Sequence, residues 1–88
     1  MAWTIEFDSD AAKELKRLDR PVQQRIVRFL RERIAPSDAP RTQGKALRGD
    51  RGEVWRYRVG DYRLLCRIED DRIVVLVIHV GHRREVYR

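Results

Sequence analysis

Polar and apolar residues follow different rhythms in different parts of this chain. Trp3, Ile5 and Phe7 alternate with Thr4 and Glu6, the period-two pattern of a half-buried strand. Asp8, Ser9 and Asp10 come next; their oxygens can cap a helix, and negative charge is favourable at a helix start. Ala11, Ala12, Leu15 and Leu18 then recur at helical spacing, and Asp19-Arg20-Pro21 ends that helix and begins another, since proline fits a first turn. Val22, Ile26, Phe29, Leu30 and Ile34 make an apolar stripe among Gln23, Gln24, Arg25, Arg28 and Arg31. The two segments predict a helical hairpin with one buried face.

Residues 35–52 carry Pro36, Pro40, Gly44, Gly49 and Gly52, with Lys45-Ala46-Leu47-Arg48 as the only helical hint, and read as a surface connection. Strand signals then dominate at residues 53–59, 62–68 and 72–80. Gly60-Asp61 fits a two-residue hairpin loop with glycine where φ is positive, and Glu69-Asp70-Asp71 makes a second turn. The last strand, IVVLVIHV, is apolar at nearly every position, which predicts a central strand buried on both faces. The expected fold class is α+β: a small antiparallel twisted sheet with an N-terminal helical hairpin packed on one face, in the order β-α-α-β-β-β. At 88 residues the chain has room for one domain, 1–88, and one modest core.

Charge adds a direction to this picture. The chain holds 20 Lys+Arg against 14 Asp+Glu, for a net +6, and all but three of the cations are arginine. Residues 1–40 carry 8 cations and 7 anions, whereas residues 41–88 carry 12 and 7, so the excess lies in the second half. Arginine's planar fork suits phosphate, so nucleic acid or an acidic protein is the expected kind of partner. Cys66 is the only cysteine, so no internal disulfide can form. The N-terminal residues lack the pattern of a signal peptide, and the longest apolar run, residues 73–78, is far short of the roughly 20 residues of a membrane span. A soluble, cytoplasmic protein is expected.

Two stretches stand out for chemistry. In VWRYRVGDYR, residues 54–63, Arg56 and Arg58 share one side of a strand and Trp55, Tyr57 and Val59 the other. If the aromatic side is core, the arginines stand on the open face. The next strand carries Arg63, Leu65 and Arg67 on a common side, and the hairpin register decides whether it is the same side. The alternation alone leaves two readings, a solvated strand face or a platform for a polyanion. The second stretch, GHRREVYR at residues 81–88, gathers His82, Arg83, Arg84, Tyr87 and Arg88, which can bind phosphate, move a proton or stack on a base. A basic tail fraying in solvent is the alternative.

Other chemistries find little support. His79, His82 and Cys66 lack metal-ligand spacing and a fourth ligand, so no metal and no cofactor are expected. Cys66 sits among apolar neighbours and reads as a core filler. There is no phosphate-binding glycine loop and no nucleophile elbow. Any catalysis must run on Arg, His and Tyr.

The segment from Trp55 to Arg88, WRYRVGDYRLLCRIEDDRIVVLVIHVGHRREVYR, with KALRG upstream, resembles the second half of the RelE toxins of bacterial toxin–antitoxin pairs, and the strand plus helical hairpin matches the first. The resemblance implies an endoribonuclease that enters the ribosomal A site and cuts mRNA without metal, the 2′-OH attacking its neighbouring phosphate. It places Arg56 and Arg58 where the family has a basic pair, often lysines, and Arg63 on a phosphate-binding arginine. Arg83 falls on an arginine proposed as general acid or charge stabiliser, and Tyr87 on a tyrosine that orients or stacks with the substrate. Lys45, Arg48, His82 and Arg84 would be further RNA contacts. An arginine at position 58 cannot readily act as a base, because guanidinium groups stay protonated; Tyr87 or His82 would then help remove the proton, or catalysis would be mainly positioning. The implied partners are the ribosome, its mRNA and an acidic-rich antitoxin masking the cationic face. Two alternatives stay open: a ParE-like inhibitor of gyrase, and a non-enzymatic module that binds RNA or protein.

Overall fold

In the computed structural model, which describes residues 2–47 and 53–84, Asp8 starts the helical layer. Strand β1 (Thr4–Phe7) runs into it, and its side-chain Oδ1 accepts from the Ala11 N–H at 2.8 Å at the head of α1 (Ser9–Lys16). The turn to α2 (Arg20–Phe29) is closed by Gln23, whose amide donates to the Leu18 carbonyl at 2.7 Å. Pro21 sits in the first turn of α2, as the sequence predicts.

The helix continues as a wide π-turn, Leu30–Ile34, closed by Ala35 N–H donating to Leu30 O at 2.8 Å. Ile26, Leu30 and Ile34 are spaced by fours, a rhythm that overshoots a turn of about 3.6 residues. Widening the turn brings Ile34 back to the inner side, and all three are buried. Trp3 N–H then donates to Ala35 O at 2.7 Å, fastening the end of this layer to the start of β1.

After a 3-10 turn at Pro40–Gln43 come β2 (Lys45–Leu47), β3 (Val54–Val59), β4 (Tyr62–Glu69) and β5 (Val74–His82). They form one sheet with β1 in the order β1-β5-β4-β3-β2. The α+β class and the element order hold, and Gly60, at φ 59°, turns the β3–β4 hairpin.

Three details differ from expectation. The sheet is mixed, because β1 lies parallel to β5; alternation marks a strand but carries no information about its direction. Lys45–Leu47, read as part of a surface connection with a helical hint, is a short edge strand antiparallel to β3, where it covers backbone groups an edge would leave open. Strand β5, expected at the centre, lies second in the sheet, inside β1, and only Val75, Val77 and Val80 are buried against the helical layer. Leu76 and Ile78 stay half-buried, because no described element covers the other face.

The core lies between the layers. Ala11, Ile26, Leu30 and Ile34 from the helices meet Tyr57, Leu64, Cys66 and the valines of β5. Tyr57 is fully buried, its hydroxyl donating to Pro40 O at 2.7 Å. Trp55, read from sequence as core, is only half-buried, with the Arg41 guanidinium 5.9 Å from its ring centroid.

A β-bulge completes the frame. Leu65 pairs with His79 but Cys66 pairs with Val77, leaving Ile78 as the extra residue. Beyond Phe7 the edge of β5 has no strand beside it, and α1 takes its place. Glu14 accepts from the Val80 N–H at 2.9 Å and contacts His79 Nδ1 at 2.7 Å.

Candidate nucleic-acid interface

The hairpin register settles which side chains share the uncovered face. Trp55, Tyr57 and Val59 stand opposite Cys66, Leu64 and Tyr62, on the helix side. Arg56 therefore lies opposite Leu65, and Arg58 directly opposite Arg63, on the other side. Strand β2 adds Lys45, opposite Arg56. Lys45, Arg56, Arg58 and Arg63 thus form one patch across three neighbouring strands, in which directly opposed like charges such as Arg58 and Arg63 repel. An anion lying among them removes that cost.

The members of the patch are held differently. Arg58 is exposed, Arg56 half-buried, and Arg63 only 6% exposed. The Arg63 Nη1 donates to the carbonyls of Gly60 at 3.1 Å and Tyr62 at 3.0 Å, so the hairpin turn itself fixes the guanidinium. Its cross-strand neighbour on β5 is Gly81, which has no side chain to compete for the space.

Past β5 the chain stays tied to the hairpin, the Arg83 N–H donating to Asp61 O at 2.8 Å. Arg83 and Arg84 are exposed there, at the end of the sheet that carries the turn beside Arg58 and Arg63. His82 is not brought to the cationic side. It pairs with Tyr62 on the helix side, their rings edge-to-face at 5.6 Å, and its Nδ1 accepts from the Arg84 N–H at 3.3 Å. Arg48 and Tyr87 lie outside the described residues.

One further cation shares the face: Arg67, half-buried and opposite Leu76. Its two-residue steps from Arg63 and Leu65 were the signal for it. By contrast, Arg41 grips Asp70 with two hydrogen bonds of 2.7 and 2.9 Å. That contact raises the Arg41 pKa and holds the Asp70 carboxyl below its ordinary range, an exposed link between the 3-10 turn and the β4–β5 turn.

Among the described residues no group of three or more His, Cys, Asp and Glu side chains converges as a metal site would require. Cys66 is buried and burial pushes its thiol pKa up, away from nucleophilic use. Burial likewise pushes the Tyr57 hydroxyl up. Chemistry on this face can therefore consist of orienting a polyanion and stabilising negative charge that develops on it.

Known proteins match this build closely. The family model described as the ParE toxin of type II toxin–antitoxin systems matches residues 5–87. The toxin RelG of Mycobacterium tuberculosis is 33% identical over 88 residues, covering 100% of this chain and 99% of the relative. The mRNA interferase toxin RelE of Escherichia coli is 35% identical over 91 residues, covering 99% and 92%. Among solved structures, a chain of the RelBE2 toxin–antitoxin complex of Mycobacterium tuberculosis superposes with a TM-score of 0.85 at 29% identity, covering 97% of this chain and 95% of that one. A chain of the intact Escherichia coli RelBE complex gives 0.70 at 30% identity, with 92% and 96% covered.

A helical hairpin on one side of a mixed sheet, with cations on the other, is thus the frame of a type II toxin. The chain belongs to the ParE/RelE toxin family and is a toxin of its RelE group.

Proposed function

We propose that this toxin is a ribosome-dependent, metal-free endoribonuclease that cuts mRNA in the A site and so stops translation. The observation that carries the reading is the register: it puts Lys45, Arg56, Arg58 and Arg63 together on the uncovered face, with Arg63 fixed by backbone carbonyls. A single RNA strand laid across this face meets its cations in a fixed arrangement. The 2′-oxygen forms a bond to the adjacent phosphorus and the bond to the 5′-oxygen breaks. The products are a cyclic phosphate and a 5′-hydroxyl.

Arg58, Arg63 and Arg83 stabilise the additional negative charge on the phosphorane, as preorganised cations do best. Arg83 can also deliver a proton to the leaving oxygen. His82 belongs to the other side of the strand, so removal of the 2′ proton falls to Tyr87, or the rate derives mainly from positioning.

An acidic-rich antitoxin would neutralise this patch, and the chains superposed above come from toxin–antitoxin complexes. A largely apolar groove along the edge of β1, lined by Trp3, Ile5, Phe7, Val27 and Leu30 with Arg31 at its side and a cavity of about 320 Å³, suits an anchoring segment of that protein.

The test is to incubate the purified chain with translating ribosomes and map mRNA ends, beside Arg83→Ala. Cuts within A-site codons that weaken in the variant support the reading. Intact mRNA together with loss of gyrase supercoiling would replace it with gyrase inhibition, the ParE-like alternative. Tight RNA binding with no cleavage, even on ribosomes, would leave a binding module.

A further inference from the structure

The outer side of α2 carries a second set of cations that the cleavage chemistry does not use. Residues 19–34 hold five arginines against Asp19 and Glu32. Arg20, Gln24, Arg28 and Arg31 recur at steps of four, four and three, which places them on one side of the helix. With Gln23, Val27 and a single carboxylate, Glu32, they line an open cavity of about 540 Å³. Arg25 and Arg28 border a neighbouring one of about 420 Å³, and the Arg25 guanidinium reaches over the β3–β4 turn, its Nη1 2.9 Å from where a Cβ on Gly60 would stand. Arg20, Arg25, Arg28 and Arg31 are all exposed. Among the described residues none of these four has a carboxylate partner.

The helix does not need these charges for its own stability. Arg20 occupies a first turn that contains no acid, where the helix dipole favours an anion. Arg25, Arg28 and Arg31 follow one another at i, i+3, where like charges repel. A bound polyanion would turn both costs into gains.

The choice of polyanion follows from what the stripe lacks. A protein segment docks through buried apolar or aromatic anchors, and the two cavities of this surface offer only Pro21, Val22 and Val27, none of them aromatic. The apolar groove suited to protein adjoins the stripe, sharing Val27 and Arg31 with it, but its aromatic anchors, Trp3 and Phe7, lie on the β1 side. Arginine forks and glutamine amides match phosphate oxygens without apolar help. At a rise of about 1.5 Å per residue, Arg20 and Arg31 stand roughly 16 Å apart, a span over which a nucleic-acid backbone presents several phosphates.

We propose that the outer side of α2 binds the phosphate backbone of folded, double-stranded RNA, on the layer opposite the sheet face where the single strand is cut. The inference rests on the ribosome-dependent reading only in naming that RNA as ribosomal; binding of a duplex stands without it. The domain then holds two RNAs at once, a duplex that anchors it and a strand that it cleaves.

The test uses the purified full chain with a short RNA duplex and, separately, a non-cleavable single strand. In the triple variant Arg20→Gln, Arg28→Gln, Arg31→Gln, duplex affinity should fall at least about tenfold, and its log–log salt slope should shrink by about 2 to 3. Single-strand affinity should stay within about twofold. Glutamine keeps helix propensity and removes mutual repulsion, so the variant should fold, and a matched triple Arg→Lys variant should retain the slope. With isotope-labelled protein, the duplex should shift amide resonances of Gln23, Gln24 and Arg28 and leave those of β3 in place.

No duplex binding by the wild type, or an unchanged slope in the triple variant, would overturn the proposal. So would a poly-glutamate peptide that displaces the duplex from α2 at lower concentration than the duplex itself requires, which would make the surface a protein site. Intact duplex binding with no mRNA cutting would instead sink the cleavage reading and leave this one standing.

Discussion

Arg63 and Arg28 belong to two cationic surfaces on opposite layers of one small domain, and they are held in opposite ways. Arg63 is buried to 6% exposure and hydrogen-bonded to two carbonyls of its own hairpin. Arg28 is exposed on a helix, among other exposed arginines and Gln24. A guanidinium fixed by backbone has lost its freedom before any ligand arrives, so it can stabilise charge that exists only fleetingly. A mobile one pays that entropy on binding but adapts to whatever phosphate comes within reach. Preorganisation separates a surface fit for chemistry from one fit for adhesion, although their composition is nearly the same.

The largest expected effect probes that distinction directly. Arg63→Lys keeps the charge but gives up the planar fork, and should lower mRNA cutting on ribosomes by about 10²- to 10³-fold, as loss of a preorganised charge-stabilising donor typically does. Thermal unfolding should show the fold intact. Arg28→Lys should change cutting by less than about threefold, since a flexible ammonium replaces a flexible guanidinium on an exposed surface. Comparable losses from the two substitutions would abolish the contrast.

Next in size is the scaffold beneath the fixed face. A Cβ on Gly44 would stand 2.8 Å from the Arg56 carbonyl oxygen and 2.8 Å from the Tyr57 ring, where neither the backbone nor the buried ring can give way. Gly44→Ala should destabilise the domain by about 1–3 kcal/mol, read from denaturant midpoints. Alanine at Arg28 should stay within about 0.5 kcal/mol. An unaffected midpoint for Gly44→Ala would mean that the edge around β2 yields more easily than its contacts indicate.

Arg58→Lys comes third. Arg58 is the exposed member of the opposed pair with Arg63, and a lysine beside other cations can lose its proton where an arginine does not. Cutting should rise by about tenfold at alkaline pH, with a new limb in the pH–rate profile that marks a general base. A flat profile at unchanged rate would show that position 58 handles only charge.

Much of the fixed surface was legible in the sequence. The alternation of Trp55, Tyr57 and Val59 with Arg56 and Arg58 defined the two sides of β3, and Gly60-Asp61 marked the hairpin that pairs them with β4. The direction of β1 was not legible, because a parallel neighbour is a property of chain routing. Nor was the side on which His82 lies. Strict alternation from Val75 and Val77 would put it with the arginines, but the extra residue at Ile78 reverses the parity beyond it. The helical stripe escaped for a different reason. Residues 1–40 sum to only +1 partly because Glu6, Asp8, Asp10 and Glu14 offset the arginines, yet those acids sit on β1, on α1 and at the cap between them. Charge counted along a chain hides what folding separates in space.

The smallest expected effect joins stability to adhesion in one side chain. Arg20 opens α2 with positive charge where the dipole favours negative. Arg20→Glu should therefore raise stability, by about 0.3–1 kcal/mol at low ionic strength, with the gain fading as salt screens it. The same substitution should weaken duplex RNA binding and leave the affinity of the fixed face for a non-cleavable single strand within about twofold. A domain that becomes more stable as it binds less would show that Arg20 is kept for its partner and against the preference of its own helix. If Arg20→Glu lowered stability instead, an interaction with Asp19 or Glu32 in solution would outweigh the dipole, and the stripe would lose its argument from unfavourable placement.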